Sequence, residues 1–172
     1  VAGQECVWVS FFVADTAPAE IYTLSLRDAL PIFDVIPLAK RMVKDASPQV
    51  RREVAVAIRH NTSAAVPGLW AELAQQYDGK DRWYLEALGI AADRQWNACL
   101  DAWLKKTGDA WATPAGRDIV WRSRATRTPE LLAKIVTDPK TPVETHPRYM
   151  RAFDFLSGPE KDKALKTILL GL

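Results

Sequence analysis

Residues 81–92 read DRWYLEALGIAA, and this stretch decides the fold. Trp83, Tyr84, Leu85, Ala87, Leu88, Ile90 and Ala91 cover most of a helix circumference, with Arg82 and Glu86 the only charges inside it. A helix apolar nearly all round and too short to span a bilayer is expected to be covered by other helices. The rest of the chain reads as that cover.

Working outward, helical punctuation recurs. Residues 34–44 place Val35, Leu38, Met42 and Val43 at helical spacing, with basic residues in the last turn. Ser47 then caps a helix with Pro48 at its first position and a stripe of Val50, Val54, Ala57 and Ile58, leaving Arg51, Arg52, Glu53 and Arg59 mostly off it. Its partner runs to about Tyr77 with Val66, Leu69, Trp70 and Leu73 inward, and Asp78-Gly79 closes it as an αL terminator. After the central helix, residues 94–106 carry Trp96, Leu100, Trp103 and Leu104 on one face. Thr113-Pro114 and Thr128-Pro129 open the next pair, and a last pair is expected at about 148–156 and 159–170. Caps at Ser47, Asp81 and Thr113, with a looser start near His146, recur every thirty to thirty-four residues or so, the mark of stacked helical hairpins. The expected fold is all-α, a right-handed α-solenoid. Trp70, Trp83, Trp96 and Trp103 are expected to fill the gaps between layers.

Composition bounds the function without naming it. At 172 residues, 48% hydrophobic and 26% charged, the chain has globular values, and no apolar run is long enough for a membrane span. Cys6 and Cys99 form neither a disulfide framework nor a metal spacing, and Cys99, between two tryptophans, reads as core. His60 and His146 are read as neither ligands nor catalysts, so no metal is expected. Dinucleotide, Walker, zinc-protease and haem-attachment motifs are all missing.

Residues 1–32 stand apart. The run VWVSFFV has no basic segment before it, only acidic Glu5, which argues against a signal peptide. Residues 15–32, DTAPAEIYTLSLRDALPI, resemble the conceptual translation of a sequencing adapter, DTATTEIYTLSLHDALPI, departing at Pro18, Ala19 and Arg27. The expectation is that 1–32 is not a domain and that 33–172 is a helical-repeat domain from a larger protein. Setting aside Glu5, Asp15, Glu20, Asp28 and Arg27 raises the formal net charge from +2 to +5.

Two constellations carry possible chemistry. Arg82 and Glu86 stand at i, i+4 on the central helix, where an ion pair withdrawn from water is expected, structural or functional. In GRDIVWRSR, residues 116–124, Arg117, Trp121 and Arg124 are expected on one face while Asp118 pairs with Arg122. Such a face serves a binding surface, and it equally describes a tryptophan packed under snorkelling arginines.

Residues 45–60, DASPQVRREVAVAIRH, are similar to a HEAT repeat through Asp45, Pro48, Val50, Arg51 and Ala55. Beyond that unit, QYDGKDRWYLEALGIAAD, TPAGRDIVWRSR and RAFDFLSGPEKDKAL resemble the helical-repeat region of large secreted bacterial proteins known from planctomycete and verrucomicrobial relatives. There a propeller-like dehydrogenase domain and HEAT repeats are joined to a C-terminal c-type cytochrome module. The resemblance implies a non-catalytic scaffold arm in an extracytoplasmic redox protein, binding protein partners, with haem c held only by another module. A second expectation comes from bacterial DNA alkylation repair glycosylases, which are built from HEAT-like repeats and use tryptophan, arginine and an aspartate in a basic groove. The interspersed acids of this chain dilute any such stripe, so nucleic acid is the lesser reading.

Overall fold

The computed structural model describes residues 34–171, which belong to one compact unit, Asp34–Leu172. The expectations placed on residues 1–32 lie outside the described residues. Within them the chain is helical, without strands: α1 (Val35–Met42), α2 (Pro48–Ala57), α3 (Val66–Gln75), α4 (Arg82–Ala91), α5 (Trp96–Thr107), α6 (Pro114–Arg122), α7 (Thr128–Thr137), α8 (His146–Ala152) and α9 (Pro159–Gly171). Three of the helix starts read from the sequence are capped as their residue types require, while α7 begins at Thr128 without a side-chain cap. Ser47 accepts from the Val50 amide, Asp81 from Trp83 and Tyr84 at 2.9 and 3.1 Å, and Thr113 from Gly116 at 3.2 Å. Each satisfies amide hydrogens that the first helical turn cannot. Gly79 takes a φ of +78°, the left-handed turn expected of it. The residues after α5 form a 3-10 segment, Gly108–Ala112, packed against both α5 and α6.

Most helices pack on a chain neighbour, and each packs on a helix two places along. The pairs are α1 with α3, α2 with α4, α3 with α5, α4 with α6, α6 with α8 and α7 with α9. Their shared core includes Ile58, Trp70, Leu73, Leu88, Leu100, Trp103, Val120 and Leu132, all nearly inaccessible to water. Trp70 donates its indole N–H to the Leu88 carbonyl at 2.8 Å and meets Trp96 edge-on, tying α3 to both α4 and the start of α5.

Polar tethers repeat at nearly constant offset. Arg51 reaches the Tyr84 hydroxyl, Gln76 the Val43 carbonyl and Gln95 the Asn61 carbonyl, at separations of 33, 33 and 34 residues. Lys106 pairs with Glu72 at 34 and Arg122 with Glu86 at 36. His60 and Arg94, also 34 positions apart, share a rare non-glycine left-handed conformation, φ 60° and 66°. Arg51, off the apolar stripe of α2, is thus partly buried and bonded to α4. Its guanidinium also lies over the Tyr84 ring and donates to the carbonyls of Asp45 and Ala46.

One tether sets a pH dependence. Asp93 accepts from His60 at 2.6 Å and Arg59 at 3.1 Å, and these bonds, His60 first, pull its carboxyl down to about 2. A carboxyl held below its unfolded value of about 3.9 contributes stability that is present above that value and lost as pH falls through the folded one. The Asp93 carboxyl is thus expected to titrate near pH 2 by NMR and to move toward 4 in His60→Ala. An unchanged midpoint in that variant would assign the depression elsewhere.

Not every apolar residue on these helices is inside. Trp83 is 71% exposed and Ile90 is exposed too, against the expectation of a fully covered helix and a core tryptophan at 83. The reason is geometric: α4 has α2, α3 and α6 as packing neighbours, and Tyr84, Leu85, Ala87, Leu88 and Ala91 face them. Trp83 and Ile90, at i and i+7, occupy the remaining side. Leu38 of α1 and Leu169 and Leu170 of α9 are likewise exposed, and the buried positions are Ile36, Ala39 and Val43 in and just after α1 and Ala164 and Ile168 in α9.

Candidate functional site

The packing of α4 on α6 and α6 on α8 creates two adjoining cavities, about 430 and 290 Å³, that share Glu86 and Trp121. The first is lined among others by Lys80, Arg82, Asp118 and Arg148. Arg122, Arg124, Arg151 and Phe155 line the second. Six cations thus face two carboxylates along one groove. Of the five residues singled out from the sequence, Arg82, Glu86, Trp121 and Arg124 meet here, and Arg117 does not.

The pairing differs from the expectation at each acid. Glu86 accepts from Arg122 at 2.9 Å rather than from Arg82 one turn away, because the Arg122 guanidinium lies directly over Gly89, where a side chain would block it. Asp118 is paired with Arg148 at 2.8 Å, not with Arg122, and accepts from the Tyr77 hydroxyl at 3.3 Å. Burial and then the Asp118 charge push the Tyr77 phenol up to about 12, so it stays a neutral donor.

The aromatic rings each carry a cation. Arg148 sits 4.6 Å over the Trp121 ring, whose N–H donates to the Arg148 carbonyl at 3.0 Å. Arg124 lies 4.7 Å over Phe155 while donating to the carbonyls of Trp121, Arg122 and Ser123 at 3.2, 3.0 and 2.7 Å. It neutralises the carbonyl-rich end of α6, and burial pulls its pKa below the usual guanidinium range. Arg117 points to other partners: Asp138 at 2.6 Å, Thr141 at 2.7 Å and the Ala112 carbonyl at 2.9 Å. Half-buried and fully bonded, it clamps the 3-10 segment to the end of α7, so the shared Arg117–Trp121–Arg124 face does not form.

The groove also contains residues that the sequence reading passed over. Arg148, Arg151 and Phe155 in RYMRAFDF recur at i, i+3 and i+7, a basic and aromatic stripe at helical spacing. The spacing is legible in the sequence, but the helix that carries it, His146–Ala152, is short and has no side-chain cap to mark its start.

Nothing else among the described residues gathers comparable chemistry. A cavity of about 380 Å³ between α7 and α9 is lined by threonines and by charges that pair locally, such as Lys134 with Glu130 at 2.6 Å. Among the described residues no group of three or more His, Cys, Asp or Glu side chains is placed to hold a metal. Cys99 is fully buried, and burial pushes its thiol up to about 12, far from a reactive thiolate. No described helix is long and apolar enough to cross a membrane. Comparison with family models, with curated proteins and with solved structures finds no match to this chain.

Proposed function

We propose that the described residues form a right-handed α-solenoid of HEAT-like hairpins whose role is non-catalytic: a scaffold arm that binds protein. The observation that carries this reading is the groove itself, assembled by three successive hairpins from side chains that no single hairpin could gather. Packing of each helix on its second neighbour, with polar tethers at 33 to 36 residues, supports the repeat architecture. In the proposal the arm belongs to an extracytoplasmic redox protein, as the resemblance implies, and haem and dehydrogenase chemistry reside in other modules.

A second reading, nucleic-acid binding, draws on the same cations. Against it stand the carboxylates of Glu86 and Asp118, placed where a phosphate backbone would have to run. The two are separated by binding the purified chain to an array of random dodecapeptides and, in parallel, to single-stranded and duplex oligonucleotides at 150 mM salt. Selective peptide binding with negligible oligonucleotide binding is expected. Oligonucleotide binding that is tighter and falls steeply with salt would replace the scaffold reading with the nucleic-acid one.

A further inference from the structure

We propose that the α4–α6–α8 groove receives a short acidic segment of a partner protein, in which two carboxylates flank an apolar residue. The proposal rests on the protein-binding reading above and names the site and the chemistry of its ligand.

The charge arrangement is specific. Both acids of the groove are already engaged, Glu86 by Arg122 and Asp118 by Arg148. Arg124 spends its guanidinium on backbone carbonyls. Arg82 and Arg151 are different: both are exposed, both line the groove, and among the described residues neither side chain makes an ion pair or hydrogen bond. One opens onto each cavity, and Lys80 adds a third cation beside Arg82. Two unspent guanidiniums in two connected cavities match two carboxylates held apart on one segment, and guanidinium is the group best shaped to grip a carboxylate.

Between those cations lies apolar surface. Trp121 is shared by both cavities, and Phe155, 62% exposed, lines the second. An apolar side chain placed between the two carboxylates would cover it.

The same geometry disfavours nucleic acid. Single-stranded nucleic acid binds grooves of this kind by stacking bases on aromatic faces. Here one face of Trp121 is covered by Arg148 and one face of Phe155 by Arg124, and the indole N–H is already donated. The alternation of cations with Glu86 and Asp118 suits discrete carboxylates, not a continuous line of phosphates.

The test is fluorescence anisotropy with a labelled dodecapeptide of repeating Asp-Phe-Glu units, beside its lysine-for-acid counterpart and a twelve-residue oligothymidylate. The acidic peptide is expected to bind, the basic one not, and the combined Arg82→Glu and Arg151→Glu variant to weaken binding by about tenfold or more. Circular dichroism melts of that variant should match the parent, since neither side chain has a partner to lose, and the milder Arg82→Gln with Arg151→Gln should fall between them. If the acidic peptide fails to bind, or binds the double variant unchanged, the groove assignment is overturned. Selective array peptides would then leave the protein-binding reading standing. Oligothymidylate binding tighter than the acidic peptide and lost in the same variant would overturn both.

Discussion

Replacing Trp70 by alanine should cost about 5 kcal/mol, at the upper end for a buried aromatic truncated to a methyl group. The side chain is completely buried where α3 meets α4 and α5, so its removal opens a cavity between layers rather than a dent at the surface. Its indole N–H also donates to the Leu88 carbonyl at 2.8 Å, beside the Ala92 amide. Small domains have only about 5 to 15 kcal/mol of stability, so the variant should forfeit from about a third of it to all of it. Trp70→Phe separates the two contributions. It keeps most of the volume and forfeits the hydrogen bond, and should cost about 1 to 3 kcal/mol. Guanidinium unfolding followed by circular dichroism reads both. A loss below about 1 kcal/mol for the alanine variant would mean that the layers close over the vacated space and do not depend on Trp70 as the packing implies.

Which parts of this molecule were legible in the sequence follows from the range of the interactions involved. Helix starts are local: Ser47, Asp81 and Thr113 each satisfy amides two or three residues downstream, so a one-dimensional reading finds them. Buried stripes of long, strongly periodic helices were legible for the same reason, and Val66, Leu69, Trp70 and Leu73 are all inside. Ion pairs were not. The sequence offers Arg82 one turn from Glu86, a favourable i, i+4 arrangement in an isolated helix. In the packed array Glu86 faces α6, and the partner 36 residues away wins because Gly89 leaves it room. The same substitution of distant for local partners gives Asp118 to Arg148. Exposure of Trp83 escaped the reading because hydrophobicity gives how much of a helix is apolar and not how many neighbours are available to cover it.

Gly116 and Gly89 look alike in sequence, each within a helix, in the first turn of α6 and the last turn of α4, and each an apparent opportunity for alanine, yet opposite outcomes are expected. Alanine in a helix interior is favoured over glycine by about 1 kcal/mol. At Gly116 that gain is overwhelmed: a Cβ there would lie 2.2 Å from the carbonyl oxygen of Trp111, and that oxygen is backbone in the 3-10 segment, held by its packing on α5 and α6. Relief requires the segment to move off α6, taking with it the Ala112 carbonyl that Arg117 grips. Gly116→Ala should therefore destabilise by about 3 kcal/mol, the range for forced overpacking. At Gly89 the obstacle is the Arg122 guanidinium, 2.4 Å away but at the end of a flexible side chain. Gly89→Ala should displace it at the expense of one half-buried ion pair, worth about 0 to 1 kcal/mol, and leave net stability nearly unchanged. What changes instead is the groove, because Glu86 is freed to compete with an incoming carboxylate. Paired denaturation and anisotropy measurements should show Gly116→Ala losing stability and Gly89→Ala losing affinity for the acidic peptide. Equal losses of stability at both positions would mean that Arg122 is fixed as firmly as backbone. Unimpaired affinity in a stable Gly89→Ala would show that the Glu86–Arg122 pair does not shape recognition in the groove.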